Sequence, residues 1–326
     1  MQIFLTGATG FLGNNLLRQL LDDGHDVTVS VRHSSPLRPL DGLEVDKREI
    51  DLADPKNLSL AVAKADLVIH AAAMIQIGWS KLEVSRRVNV DATRALGEAV
   101  RRRGVRMVYV STVDALAAAT SSSECKETDL EPSKPECTYV VSKREAEQAF
   151  LAEVENGLDG ILVNPGFMVG PWDWKPSSGQ MMLAIANQFV PFAPSGGCSV
   201  VDVRDAAAGI IAAYDYGKTG ERYILGGHNL TYLDLWKRMA KVVGSRPPVG
   251  KLPKVVESIA GFCGDMASKV MPNETQVNSA ATKMGGLHHW YSSEKAAKEL
   301  GYKYGEIEAG LEDAWQWFKR FGYVPG

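Results

Sequence analysis

An α/β protein built on a doubly wound parallel sheet, with a smaller C-terminal α/β lobe, is predicted by three observations. An apolar strand beginning at Gln2 runs into a glycine turn and directly into a helical pattern. Short β-branched runs then alternate with helical periodicity as far as Pro165. Beyond Pro165 the alternation breaks into shorter segments around Trp172, Trp174, Pro176, Pro191 and Pro194.

The first element carries the most information. After the strand come Gly7, Gly10 and Gly13, then apolar residues at helical spacing: Phe11, Leu12, Leu16, Leu17, Leu20 and Leu21. Lacking a Cβ, Gly7 suits a tight turn, Gly10 lets an anion approach the backbone, and Gly13 lets helix and strand pack closely. The helix N-terminal amides then face a pyrophosphate, so a dinucleotide site is expected. Val27 to Val31, Asp66 to His70, Val105 to Val110 and Gly160 to Val163 read as further buried strands, with helices near 55–64, 79–103 and 139–156. Right-handed crossovers place the strand C-termini along one edge. The sheet is therefore expected to be of the Rossmann type.

Two parts follow from this order: a dinucleotide-binding domain over residues 1–167 and a mainly substrate-binding lobe over 168–326. Sheet or helix contributions to the first part are expected from about 198–226, where Asp202 to Tyr214 reads as helix and Glu221 to Leu225 as strand. The polar, aperiodic stretch Ala117 to Thr138 reads as a surface loop. Pro253 to Met271 has its apolar residues at helical spacing, interrupted by Lys254, Glu257, Asp265 and Lys269. It reads as a packed amphipathic helix, with a lid or a membrane-surface role as the alternatives. Ile307 to Phe321 reads as a packing helix.

The chain has 326 residues, 45% of them hydrophobic, enough for a large core. Lys and Arg number 36 against 39 Asp and Glu, a net charge of -3 that carries no footprint for nucleic acid. Four scattered cysteines without C-x-x-C spacing suggest reduced, mostly packing residues and a cytoplasmic location. With a strand starting at Gln2, no signal peptide is expected, and no stretch reads as a membrane span. His228, His288 and His289 lack a carboxylate or cysteine at ligand spacing, so no metal is expected.

Tyr139 and Lys143 stand four apart at the start of a helical segment and share one face. An ammonium beside a phenol favours the phenolate and can tune an acid–base group. Together with Ser111-Thr112 at the end of a strand, these residues resemble the extended short-chain dehydrogenase/reductase family. Thr6-Gly7-Ala8-Thr9-Gly10-Phe11-Leu12-Gly13 is similar to its glycine motif, Asp51-Leu52 to its adenine-side acidic position, and His70-Ala71-Ala72-Ala73 to the small-residue run beside the cofactor. Asn89-Val90 matches its helix asparagine, and Asn164 to Pro171 the segment passing the nicotinamide. Further likeness runs through Val200 to Asp205, Glu221 to Gly227 and Tyr291 to Ala297, so it covers essentially the whole chain. It looks closest to dihydroflavonol-reductase-like members and to the bacterial hopanoid-associated sugar epimerases.

The resemblance implies that Tyr139 is the general acid or base, Lys143 holds the nicotinamide ribose, and Thr112 hydrogen-bonds the substrate oxygen. It implies cofactor contacts from Gly7, Thr9, Gly10, Phe11, Leu12, Gly13, Asp51, Leu52, Ala71, Ala72, Ala73, Asn89, Pro165 and Met168, besides Tyr139 and Lys143. For Thr112 a strand-end cap is the alternative, and for Asn89 a purely supporting role. Where relatives using NAD place an acid after the second strand, this chain has Val31 and Arg32. A guanidinium suits a 2'-phosphate, so NADP(H) is expected over NAD(H).

The arginines that clamp nucleotide-sugar diphosphates in many relatives are missing: Gly196, Gly197, Cys198 and Ser199 precede the Val200 segment, and Lys283 is the one definite cation in 282–289. Apolar segments around Met74, Ile75, Ile77, Trp79, Trp172, Trp174, Met181 and Met182 are candidate pocket walls, with ordinary packing as the alternative. The expectation is a reductase or alcohol dehydrogenase for an apolar or aromatic small molecule. A nucleotide-sugar epimerase or dehydratase is the runner-up, and a non-catalytic redox-sensing module a third reading. A monomer or homodimer is expected.

Overall fold

Alternating β-branched strands and amphipathic helices build the molecule in the predicted order. The computed structural model describes residues 1–52, 54–271 and 273–324. The elements are β1 Gln2–Thr6, α1 Phe11–Asp22, β2 Asp26–Val31, β3 Asp46–Glu49, α2 Pro55–Val62, β4 Leu67–His70, α3 Leu82–Arg86, α4 Ala92–Arg103, β5 Arg106–Val110, α5 Thr138–Glu155 and β6 Gly160–Pro165. Next come β7 Phe167–Val169, α6 Gly179–Asn187, β8 Phe192–Ala193, β9 Gly197–Asp202, α7 Val203–Tyr216, β10 Arg222–Leu225, β11 His228–Thr231 and α8 Tyr232–Val243. The last are β12 Gly250–Lys251, α9 Lys254–Ser268, α10 Ser279–Gly285, β13 His288–His289, α11 Glu294–Leu300 and α12 Ile307–Arg320.

The main sheet has seven parallel strands in the order β3-β2-β1-β4-β5-β6-β10. Strand alternation divides the core between its two faces. Ile3, Leu5 and Ile69 pack with Leu16, Leu20 and Ile210 of α1 and α7. Phe4, Val68 and Tyr109 pack with Leu58, Leu96 and Phe150 of α2, α4 and α5. The strand order reverses between β1 and β4, which opens a ligand crevice at their C-terminal ends.

Two features differ from the expectation, and another lies where contributions to the main sheet were expected. The edge strand β3 went unread because Asp46-Lys47-Arg48-Glu49 has no apolar signal; it pairs with β2 alone, where charges are tolerated. At the other edge, β10 pairs with β6, and α7 packs against the main sheet, so residues 203–225 return to it after the chain has left for the lobe. The stretch 117–138 is not simply a surface loop: Lys134 and Cys137 are buried, and backbone bridges join Ala119 to His288 and Cys125 to Tyr291. The lobe holds a second sheet, β11-β9-β13 with β7 also on β9, over a core of Met182, Tyr232, Leu235, Trp317 and Phe318.

Candidate active site

The glycine turn is built against the chain that leaves β4. Gly7 has φ +80°, and a Cβ there would lie 2.7 Å from the Ala71 and Ala72 backbone. A Cβ on Gly13 would lie 2.1 Å from the Gly7 carbonyl oxygen. Only bare backbone fits either position. α1 begins at Phe11 with no side-chain cap and no acid in its first turn, so its leading amides are open to an anion. Thr9, Gly10, Phe11 and Leu12 therefore sit at that opening. A dinucleotide pyrophosphate fits this cradle.

Thr112 follows β5 and Tyr139 stands in the first turn of α5, both buried, with the Thr112 side chain close enough to the Tyr139 phenol to influence it. Thr112 Oγ1 accepts from Asp114 N at 3.1 Å, so the strand-end cap is present. Lys143 lies one turn along α5, buried, with Nζ donating to Tyr109 Oη at 2.9 Å and to the Val110 carbonyl at 3.1 Å. Burial pushes the ammonium down to about 8, with Glu147 opposing. The Tyr139 phenol moves the other way: burial and the Asp114 charge push it up, against the nearby Thr112 hydroxyl. The expected lowering by Lys143 is not seen, its ammonium being bonded to Tyr109 and Val110, and Tyr139 stands protonated at neutral pH.

A buried hydrogen-bond chain joins the glycine-turn strand to this helix. Ala72 N donates to Thr6 Oγ1 at 3.1 Å, which pairs with His70 Nδ1 at 2.7 Å. His70 Nε2 pairs with Thr93 Oγ1 at 3.0 Å, and Thr93 donates to the Asn89 carbonyl. The chain closes only with a neutral His70 protonated on Nε2, and burial with the Lys143 charge pushes that imidazole down to about 3. Asn89 sits in a π-helical turn, Arg87–Asp91, between α3 and α4. Its side chain accepts from Met74 N at 2.7 Å and donates to the Met74 carbonyl and to Ser142 Oγ, each at 3.0 Å. Asn89 therefore pins the strand exit that carries Ala71, Ala72 and Ala73.

On the adenine side, Arg32 is exposed just past β2, and Ile50 N bonds the Val31 carbonyl at 3.0 Å, bringing Asp51 and Leu52 beside it. Pro165 ends β6, and Met168 in β7 is half-buried beside Val201 of β9. Trp172 and Trp174 join Trp317 and Phe321 in the lobe core, and Met182 is buried there, so the packing reading of these residues holds.

Two charged groups behind the site escaped the sequence reading. Asp114 meets Lys134 Nζ at 3.2 Å and His289 Nδ1 at 3.0 Å; burial would raise its carboxyl, but both partners hold it well below the usual range. Glu147 takes Arg222 at 2.7 Å and Asn164 Nδ2 at 2.9 Å, while Asn164 also donates to the Thr112 carbonyl at 2.6 Å. The one available signal was an acid two residues past Thr112 within the otherwise apolar run Val113 to Leu116.

A model of the NAD dependent epimerase/dehydratase family matches residues 3–226. The chain is 32% identical over 328 residues to a Synechocystis sp. protein named for dihydroflavonol 4-reductase, covering 98% of this chain and 95% of that protein. It is 31% identical over 332 residues to sterol demethylase protein B of Methylococcus capsulatus, covering 99% and 100%. It is 30% identical over 329 residues to ceramide reductase of Caulobacter vibrioides, covering 99% and 96%. The crystal structure of gox2253 superposes with a TM-score of 0.87 at 33% identity, over 99% of each chain. Glycine turn, α5 and the returning strand β10 all lie within the matched span, and the chain belongs to the NAD dependent epimerase/dehydratase family, the extended branch of the short-chain dehydrogenase/reductases.

Proposed function

We propose that the protein is an NADP(H)-dependent carbonyl reductase or alcohol dehydrogenase acting on an apolar or aromatic small molecule. The observation that carries this reading is the buried grouping of Thr112 and Tyr139, one helical turn from Lys143, on the edge where the glycine turn opens. A protonated Tyr139 supplies the proton to a carbonyl oxygen as it becomes a hydroxyl, Thr112 orients that oxygen, and Lys143 stabilises the phenolate left behind. Hydride transfer is the chemistry the nicotinamide supplies when bound. Residues 168–326 hold most of the substrate, and Arg32 meets the 2'-phosphate in this reading.

The apolar substrate class rests on β9. A Cβ on Gly196 would lie 2.0 Å from the Leu287 carbonyl oxygen, and one on Gly197 2.4 Å from that of Leu230. No arginine can stand at either place, so the strand offers no clamp for a diphosphate. Relatives named for ceramide reduction and dihydroflavonol reduction support the same reading.

Turnover of apolar ketones, aldehydes and UDP-sugars, each with NADPH and with NADH, tests it. We expect NADPH consumption with apolar carbonyls. A UDP-sugar epimerised without net cofactor change would establish the epimerase alternative. Tighter NADH binding would overturn the role of Arg32, and cofactor binding without any turnover would point to a redox-sensing module.

A further inference from the structure

Between residues 250 and 290, charge and apolarity are sorted by side. The three acids there all turn inward. Glu257 accepts from Ser195 N at 2.7 Å and Ser195 Oγ at 2.9 Å, and Asp265 from Ser279 N at 2.9 Å. Glu274 accepts from Trp79 N at 2.8 Å and Gln76 Nε2 at 2.9 Å. The four lysines of the stretch, Lys251, Lys254, Lys269 and Lys283, are all exposed. Between them α9 and its C-terminal extension present Val255, Ile259, Phe262, Met266 and Val270 to solvent at helical spacing, Phe262 at 64% and Val270 at 87% exposure. An apolar stripe flanked by lysines, with its acids used internally, is the pattern of a helix lying in a membrane interface.

This face is continuous with the candidate active site. α10 lies against α9, and its Ala280 and Met284 pack with Tyr139. The loop 75–79 exposes Ile75, Ile77 and Trp79, and Lys283 stands 5.7 Å from the Trp79 ring centroid. On one side the loop bonds α5, the Gln76 carbonyl accepting from Tyr139 N at 3.1 Å. On the other, Asn278 Nδ2 donates to the Ile77 carbonyl at 3.0 Å, and Trp79 Nε1 to Ser279 Oγ at 2.9 Å.

We propose that α9 and the loop 75–79 seat the protein on the surface of an anionic lipid bilayer, from which an apolar substrate reaches Tyr139. Substrate delivery rests on the reductase reading above; the seating itself does not. Flotation of the full chain with phosphatidylcholine–phosphatidylglycerol vesicles, without substrate, tests it. Wild type should float with anionic vesicles and less with phosphatidylcholine alone. Ile259→Ser/Phe262→Ser and Lys254→Glu/Lys269→Glu should each lower the bound fraction roughly tenfold, while cofactor affinity and melting temperature stay unchanged. Wild type that fails to float, or variants that float equally well, would overturn the proposal. So would a wild-type dimer that the variants convert to monomer without any vesicle binding, since a second copy would then cover the face. A protein that floats as expected but reduces no apolar carbonyl would leave the seating intact and defeat the reductase reading alone.

Discussion

At the residue scale, Gly13 and Gly10 differ in what their missing side chains protect. An added Cβ meets the Gly7 carbonyl oxygen at 2.1 Å from Gly13 but at 3.2 Å from Gly10. Gly13→Ala should therefore cost about 2 kcal/mol of stability and abolish dinucleotide binding. Gly10→Ala should fold normally and weaken binding only, as melting curves and calorimetry would show. Lys143 gives a pH prediction: its ammonium is charged below about 8 and neutral above, so kcat/KM for carbonyl reduction should fall as pH rises through that point. A profile flat across it would remove the lysine charge from the account. In the unfolded chain the same group holds its proton to about its ordinary 10.5, so stability should rise with pH between the two values. Gly7, Gly13, Tyr139 and Lys143 were legible because their chemistry depends on spacing along a turn or a helix. Asp114 was not, because its partners Lys134 and His289 reach it from distant segments.

At the element scale, the contact between α5 and β10 is a buried ion pair. Arg222 and Glu147 side chains are 12% and 5% exposed and sit 2.7 Å apart. Arg222→Met strands the carboxylate that also holds Asn164, and should cost about 3 kcal/mol in urea denaturation. Arg94→Met, breaking an exposed pair with Asp91, should cost under about 0.5 kcal/mol. A loss at Arg222 no larger than at Arg94 would mean that the pair does not hold β10 to α5. Apolar periodicity made β1, β2, β4, β5 and β6 readable. β3 was hidden by its charged edge sequence, and the burial of Lys134 by a loop that packs partly on residues distant in sequence, Ile224 and Tyr291.

At the scale of the whole molecule, seven parallel strands bring residues from four segments to one sheet edge: the turn after β1, the exits of β4 and β5, and the start of α5. That much was readable, since alternation implies a parallel sheet and a parallel sheet implies a single ligand edge. The lobe resisted because its short strands pair out of chain order around β9, and its tryptophans, candidate pocket walls by sequence, are spent on packing. The central claim is that Tyr139 converts a dinucleotide site into a carbonyl-reducing one. Its most direct test is single-turnover oxidation of bound NADPH by an apolar ketone in wild type and Tyr139→Phe, with the cofactor Kd measured on both. The account predicts an unchanged Kd and a rate lowered by roughly a thousandfold; equal rates in the two proteins would contradict it.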